Sequence, residues 1–312
     1  MRRYTNTGLY LLAGLCIILL FFGGPGFSST RSHKQLWNLG HVPAFALWTW
    51  LAFSQWRRPA TWPPGLQFLA VLFFIIIGAA LTESCQTLLT HTRNGSMEDA
   101  LNDAAGGLFA FSAWHYLQPG RRPLLVVVAL LSGLFLLIRG VLPLGAALLD
   151  EYQARQAFPV LADFENPREL DRFYSTASHY SIEAGKAYHG RQSLRITFST
   201  TKYSNLSLVY FNRNWQGYDS LVMEMRNDGE TPLTIACRIH DSHHNQAYKD
   251  RFNRRFTLAT GWNTIAIPLL EVRFAPGKRQ MDMTAITDVT IFTVGLSEPR
   301  TVGLDYLRLI KQ

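Results

Sequence analysis

The segment TESCQTLLTHTRNGSMEDALNDAAGG, residues 82–107, is a densely polar stretch between two apolar runs, and it decides how the first half of the chain can fold. Ionisable groups at the edge of a bilayer are costly, so those that occur there are commonly functional. The alternative is an ordinary hydrated loop, and the flanking runs decide between the two. The candidates in the segment are Glu83, Gln86, Arg93, Ser96, Asp99, Asn102 and Asp103.

The composition divides the chain into two halves. Of its 312 residues 48% are hydrophobic and 17% are charged, but the apolar residues concentrate in the first half, before residue 149. They form runs of roughly 18 to 25 residues there, the length that crosses about 30 Å of hydrocarbon. The later sequence is alternating, turn-rich and charged. We therefore predict a multi-domain chain with an all-α transmembrane bundle at 1–149, a linker at 150–160 and an all-β sandwich at 161–312.

The charge and the cysteines exclude some classes of function. The net charge of +8 would suggest nucleic acid in a soluble protein, but the paired arginines lie beside apolar runs, where they orient a membrane protein. We therefore expect a lipid bilayer, and not nucleic acid, as partner. Cys16, Cys85 and Cys237 fall in three regions without C-x-x-C spacing, which supports neither a disulfide framework nor a zinc site.

The apolar runs predict about five membrane spans. The fourth contains Asn102 and Asp103 and could be re-entrant instead, while Gly106 and Gly107 would let it pack closely on a neighbouring helix. The predicted spans are 8–22, 36–56, 66–81, 100–118 and 123–149.

Three pairs of arginines orient these spans by the positive-inside rule. With a cytoplasmic N terminus, five crossings put all three pairs in the cytoplasm and put both the 82–107 segment and the C-terminal domain outside it. We therefore expect a multi-pass plasma-membrane protein. A re-entrant fourth segment would instead put Arg121 and Arg122 outside and the C-terminal domain in the cytoplasm, which the charge bias disfavours. The pairs are Arg2 and Arg3, Arg57 and Arg58, and Arg121 and Arg122.

Helical spacing places several polar residues of the first half on common faces. Ser96, Asp99 and Asp103 follow steps of three and four and would form one stripe. Ser96 with Asp99 fits a capping box equally well, so these two have a simple alternative role in starting a helix. That role does not extend to Asp103, one turn deeper. Glu83 and Gln86, three residues apart, would share another face.

Two further residues lie at the expected depth of this polar stretch. His41 lies about one turn into the second predicted span and could approach Glu83, although a lone histidine is often merely interfacial. Arg139 lies near the outer end of the fifth span. It would either extend towards the headgroups or pair with Glu83 or Asp103.

Together these positions resemble the VanZ-like family of small multi-helix membrane proteins. The family pattern has a histidine in the second helix, then E-x-x-Q, an arginine and S-x-x-D-x-x-x-N-x-x-G. Asp103 departs from it, because the family has asparagine there, and the family's D-K pair before the histidine is not kept. The resemblance implies a role at the cell envelope but no settled activity. It rests on NLGHVPAF at 38–45, ESCQ at 83–86, Arg93, Ser96, Asp99 and Gly106.

The second half reads as short strands separated by turns, which predicts an all-β sandwich. The clearest runs are SLRITFS (193–199), LSLVYF (206–211), SLVMEMRN (220–227), LTIACRIHD (233–241), WNTIAIPL (262–269) and DVTIFTVGL (288–296).

Five motifs of this half resemble the galactose-binding-like jelly rolls of carbohydrate-binding modules. They are DFE (163–165), HGRQSL (189–194), WQGYDSL (215–221), GWNTIAIPL (261–269) and LDYLRL (304–309). The resemblance implies a possible structural calcium at Glu165 and Asp305, with backbone near His189. Carboxylates and carbonyls suit calcium, but the same two side chains could simply cap turns.

The densest polar cluster of the second half is HDSHHNQAYKDRFNRRF at 240–256. Its H-x-x-H-H pattern could bind a metal, but a hairpin lacks the helical frame that such sites use, which favours a solvated loop. As a binding loop it would offer aromatic and charged groups to sugar hydroxyls or an anionic glycan. The candidate binding residues are His240, Asp241, Tyr248, Asp250 and Arg251.

These patterns favour an envelope membrane protein that recognises or handles a glycan or a lipid-linked glycan precursor. The second half has no nucleophile elbow, phosphate-cradling loop or dinucleotide fingerprint. An enzyme remains an alternative, with Glu83, Asp99 or Asp103 as acid and base and Arg93 holding a lipid phosphate. In a third interpretation the polar cluster only joins helices and the sandwich binds a protein. The sequence does not indicate an oligomeric state.

Overall fold

The computed structural model describes residues 2–26, 29–55, 62–89, 96–118 and 124–311. The chain forms two compact units, Met1–Leu148 and Leu149–Gln312. The first unit is helical and the second is a β-sandwich. The long helices are α1 Arg2–Phe22, α2 Arg31–Leu39, α3 His41–Gln55, α4 Pro64–Leu89, α5 Met97–Leu117 and α6 Leu124–Ala157.

The prediction of about five full spans is wrong for the described residues. Two helical segments there are long and apolar enough to cross a membrane, Pro64–Thr82 and Leu124–Ala157. The predicted second span divides at Gly40 into α2 and α3, and the 15 residues of α3 reach only about 22 Å, short of a hydrocarbon core. The apolar part of α1, Thr7–Leu20, is also short, and α5 carries acidic residues in its first turns.

Close packing of α5 on α3 depends on a glycine, as the sequence predicts. A Cβ at Gly106 would collide with the carbonyl oxygen of Val42 and lie 2.9 Å from the amide nitrogen of Ala46. The next residue, Gly107, lies against Ile75 of α4. The small residues therefore let the backbones of α3 and α5 approach each other.

The segment predicted as a linker, 150–160, is mostly helix. α6 continues to Ala157, and β1 begins at Val160. Asp150, in this last part of α6, is buried and accepts hydrogen bonds of 2.8 Å and 3.1 Å from Arg172. Arg172 also donates to the carbonyl of Leu161 at 2.7 Å. The end of the helix is thus bound into the second unit by a buried ion pair.

The second unit contains eleven strands, a short helix α7 and two 3-10 turns among its described residues. The predicted strands at 220–227 and 233–241 are the observed β6 and β7. The strands are β1 Val160–Ala162, β2 Phe173–Thr176, β3 Ser178–Ala184, β4 Gln192–Phe198, β5 Tyr203–Leu208, β6 Ser220–Asn227, β7 Leu233–Asp241, β8 Phe252–Leu258, β9 Gly261–Pro268, β10 Ile286–Val294 and β11 Arg300–Ile310; α7 is Leu269–Phe274.

These strands form two antiparallel sheets, which confirms the predicted sandwich. One sheet has the order β3-β4-β11-β6-β9 with β1 beside β11, and the other has the order β2-β5-β10-β7-β8. The chain passes repeatedly from one sheet to the other, as in a jelly roll. Alternate side chains of the strands fill the interior, among them Leu194 and Ile239, and Trp215 joins them from the connection between β5 and β6; all three are fully buried. The opposite face of the five-stranded sheet is left for polar and aromatic groups.

Candidate functional site

The outer face of the five-stranded sheet carries a groove with a volume of about 550 Å³. Its lining includes three aromatic rings, four arginines and two asparagines, and the described residues that line it include no Asp or Glu. Aromatic and basic side chains meet here on a surface that a ligand could reach, and we take it as the candidate site. Its main side chains are Tyr203, Arg238, Tyr248, Arg251, Asn253 and Phe292.

The strand register explains why these side chains share one face. Thr290 of β10 pairs with Arg238 of β7, and Arg238 pairs with Asn253 of β8. Two residues further on, Phe292 lies beside Ala236, which lies beside Arg255. Because side chains two apart on a strand point to the same face, these rows form the floor of the groove.

Two tyrosines project beside this floor. Tyr203 is 56% exposed and Tyr248 is 69% exposed, values that are high for such large rings. The guanidinium of Arg251 lies 5.4 Å from the centre of the Tyr248 ring. Exposed rings on a rigid concave surface can stack on a flat ligand while their hydroxyls remain hydrated.

The predicted cluster at 240–256 divides into two parts. Tyr248 and Arg251 line the groove, whereas Asp241 and Asp250 bind Arg279. Arg279 donates to Asp241 at 2.5 Å and 2.8 Å, and to Asp250 at 2.7 Å and 3.0 Å. These hydrogen bonds hold the pKa of Asp250 down at about 2 and raise that of Arg279. Burial opposes the effect at Asp241, but its pKa is lowered overall by the same arginine.

Arg279 therefore braces the connection between β7 and β8, and the sequence analysis missed it. The arginine lies 29 residues after Asp250, in FAPGKRQMD, and no local pattern joins it to two aspartates. An isolated basic residue in a turn gives no signal of its partner. Only the meeting of β7, β8 and the segment before β10 brings the three side chains together.

The histidines of the cluster form a buried stack rather than a metal site. The rings of His240 and His244 lie 4.5 Å apart, and His244 Nδ1 donates to the backbone carbonyl of Asp250 at 3.0 Å. The side chain of His244 is 2% exposed, so the expected solvated loop is wrong at this residue. Burial lowers the pKa of His240. Within the described ranges, no group of three His, Cys, Asp or Glu residues could hold a metal.

Glu165 and Asp305 hold one turn between them. Glu165 Oε1 accepts from the backbone N–H groups of Arg191 and Gln192 at 2.7 Å and 2.8 Å. Asp305 Oδ2 accepts from the N–H groups of Tyr188 and His189, at 2.7 Å and 2.9 Å. Calcium needs six to eight oxygen ligands, whereas these carboxylates face amide hydrogens. The residues present do not fit the expected calcium; they cap the turn, the alternative role, and burial raises the pKa of Asp305.

In the helical unit, the structure brings together two candidates that the sequence analysis did not pair. His41 Nδ1 lies 2.8 Å from Asp103 Oδ1, and both residues are 1% exposed. Beside them, Asn102 donates to the carbonyl of Asn38 at 3.2 Å. The pair joins the start of α3 to α5, with 62 residues between them in the chain.

Ser96 takes the helix-starting role that the sequence left open. Its side chain caps α5 by accepting a hydrogen bond of 3.1 Å from the amide of Asp99. Arg139 is exposed and lines a small recess with Glu98 and Asn102 rather than pairing with Asp103. α5 is a continuous helix from Met97.

Several residues of the predicted site and of the arginine pairs are described by their backbone alone or lie outside the described residues. Glu83 and Gln86 belong to α4 by their backbone, and Arg2 and Arg3 belong to α1. The remaining ones lie outside the described residues: Arg93, Arg57, Arg58, Arg121 and Arg122.

Comparisons with known proteins give fold-level similarity. No family model matches the chain, and no curated protein matches it, so the VanZ-like resemblance stays a prediction. An exo-beta-agarase structure is 16% identical, with a TM-score of 0.41 over 49% of this chain and 25% of that chain. The family 11 carbohydrate-binding module from Clostridium thermocellum, in complex with a beta-1,3-1,4-mixed-linked tetrasaccharide, is 16% identical, with a TM-score of 0.39 over 49% of this chain and 94% of its own.

A further similar structure is the family 30 carbohydrate-binding module of cellulosomal cellulase Cel9D-Cel44B from Clostridium thermocellum. It is 15% identical to the chain, with a TM-score of 0.35 over 45% of this chain and 92% of that chain. These three structures are thus two carbohydrate-binding modules and part of an exo-beta-agarase.

Proposed function

We propose that this protein recognises a glycan through the groove of its sandwich and is anchored in a membrane by its helical unit. The observation that carries the proposal is the pair of exposed tyrosines, Tyr203 and Tyr248, beside a floor of arginine and asparagine side chains. A sugar ring offers an apolar face for stacking and hydroxyls for hydrogen bonds, and the groove supplies a partner for each. Its volume of about 550 Å³ lies within the usual range for ligand sites.

The groove is built on parts of the sandwich that hold their shape. β10 and β7 are inner strands of their sheet, and they supply Thr290 and Arg238. Tyr248 stands on the β7–β8 connection, which Arg279 binds at Asp241 and Asp250. A preorganised surface loses little entropy on binding, which favours recognition of a ligand.

The membrane anchor is supported by the surface of α4 and α6. Only 28% of the most apolar stretch of α4, and 17% of that of α6, is buried inside the protein. The core helix of a soluble protein would be mostly buried, whereas here large side chains such as Phe73 and Phe135 are exposed. Lipid is the natural cover for such helices, and a glycan of the cell envelope is the matching ligand.

The buried pair of His41 and Asp103 favours a structural role for the polar cluster of the helical unit. Each residue is 1% exposed, so the hydrogen bond joins two helices inside the unit. A buried, hydrogen-bonded pair of this kind specifies how α3 meets α5. We therefore place recognition in the sandwich and assembly in the helices.

The test is glycan binding by the purified full chain in detergent micelles, measured on a glycan array and then by titration. We expect Y203A and Y248A each to weaken binding by about tenfold, because central aromatic contacts are commonly worth more than 1 kcal/mol. Y188A is the matched control, since Tyr188 is also exposed, at 52%, but contacts Trp262 of the other sheet. A blank array, or equal losses in all three variants, would remove the proposal.

A further inference from the structure

The groove has an excess of positive charge. Its lining holds four arginines and, within the described part of the chain, no acidic residue. Two of these arginines form ion pairs with acidic residues that do not line the groove. Arg254 pairs with Glu271 at 2.8 Å, and Arg238 pairs with Asp288 at 3.2 Å. Arg251 and Arg255 have no such partner among the residues that the structure describes.

Arg251 is the more unusual of these two. Its guanidinium makes no hydrogen bond or ion pair to the described residues and lies over the ring of Tyr248, while its Nε is buried. Burial, and then the nearby charge of Arg238, lower the pKa of Arg251, although an arginine remains protonated at any physiological pH. A half-buried cation beside a second cation is costly unless an anion joins them.

Two neighbouring groups complete this polar corner. Arg238 donates from Nη2 to Thr290 at 2.9 Å, but its Nε is buried and has no hydrogen-bond partner within the described ranges. Asn253, directly across from it on β8, likewise has a buried Oδ1 with no described donor. Native structures leave few such atoms unpaired, so three at one place mark a corner where bound water or a ligand supplies the missing partners.

We propose that the groove selects an acidic glycan, whose carboxylate or sulfate oxygens are bound between the guanidinium groups of Arg238 and Arg251. This inference rests on the proposed glycan recognition and names the class of glycan. Planar guanidinium groups offer paired N–H donors that match both kinds of oxyanion. Tyr248 lies against Arg251 and would stack on the sugar ring. The same corner of the groove therefore recognises both the charge of the ligand and the flat face of its ring.

The experiment compares acidic polymers with their neutral counterparts, using the full chain in detergent micelles. Polygalacturonate is paired with its carboxyl-reduced product, and dextran sulfate with dextran. We expect at least one acidic polymer to bind at least tenfold tighter than its neutral counterpart, and the pair that shows the difference identifies carboxylate or sulfate. Equal binding of acidic and neutral partners would overturn the inference while leaving glycan recognition intact; no binding to either acidic polymer would also overturn it.

The variant R251Q tests whether the groove itself causes the preference. Arg251 has no described polar partner, so we expect R251Q to keep the wild-type unfolding temperature and to lose at least tenfold in affinity for the acidic polymer. R195Q removes the same charge from β4 of the other sheet, where the side chain is exposed, and should keep the preference. Equal losses in R195Q and R251Q would show that the net charge of +8 attracts polyanions and would overturn the inference.

Discussion

Two arginines near the groove have opposite surroundings, and the contrast assigns their roles. Arg279 makes four hydrogen bonds to the carboxylates of Asp241 and Asp250, so its charge is satisfied within the fold. Arg251 stacks on Tyr248 and has no carboxylate partner among the described residues. A satisfied arginine stabilises structure, whereas an unsatisfied one at a groove is available to a ligand.

At this scale we predict that the stabilising effect of Arg279 depends on pH. The pKa of Asp250 is lowered from 3.8 to about 2, so the folded state binds fewer protons than the unfolded one between these values. The stabilisation is complete above about pH 4 and is lost as the pH falls towards 2. R279Q should therefore unfold about 5 °C or more below wild type at pH 7, with a smaller difference at pH 3.

Thermal unfolding of the full chain, followed by circular dichroism at both pH values, measures this effect. R273Q removes the same charge from an exposed arginine whose side chain hydrogen-bonds to Gln280. Its unfolding temperature should equal that of wild type at pH 7 and at pH 3. A difference between R279Q and wild type that stays constant from pH 7 to pH 3 would contradict the assignment to Asp250.

At the scale of elements, α3 and α5 pack through a glycine and are joined by a buried polar pair. Gly106 removes the side chain that would collide with Val42 and Ala46, and His41 with Asp103 specifies the position of one helix along the other. In the sandwich, the β7–β8 connection shows the same principle, because Arg279 fixes the segment that carries Tyr248. In both units a long-range polar contact positions elements that apolar packing alone would leave less specific.

For this helix contact we predict that G106A destabilises the helical unit by about 1–3 kcal/mol, because a methyl group forces α3 and α5 apart. G145A is the control, since nothing lies within 4 Å of a Cβ at Gly145 of α6. The loss is measured as the unfolding midpoint of the full chain in micelles, reported by tryptophan fluorescence. An equal effect of the two substitutions would argue against the close packing.

At the scale of the whole molecule, the side of the membrane that carries the sandwich depends on the number of crossings. α4 and α6 alone would leave both termini on one side. We propose the orientation that the paired arginines favour, with the N terminus in the cytoplasm and the sandwich outside, which requires an odd number of crossings. A third crossing would have to come from α1, whose apolar part, Thr7–Leu20, is short, with Arg2 and Arg3 before it.

This proposal predicts that alkaline phosphatase fused to the C terminus is active in cells, while a fluorescent protein fused there stays dark. The same fluorescent protein at the N terminus should fluoresce, because it remains in the cytoplasm. A fluorescent C-terminal fusion would place the sandwich in the cytoplasm. It would exclude an extracytoplasmic glycan as the ligand.

The sequence by itself determined the organisation into a helical half and a sandwich. The spacing of apolar residues along the chain is a local property, and it differs between helices and strands. The sequence also determined that β6 and β7 occupy 220–227 and 233–241, and it pointed to Tyr248 and Arg251. It overestimated the spans, because an apolar run does not show where a helix breaks, as at Gly40.

Only the tertiary structure decided which side chains meet. His41 with Asp103, and Arg279 with Asp241 and Asp250, lie 29 to 62 residues apart, and no local pattern encodes such distances. The groove exists because β5, β10, β7 and β8 lie side by side in one register, which depends on how the whole chain closes into two sheets. Local backbone preference determined the elements, and burial of their shared core determined their neighbours.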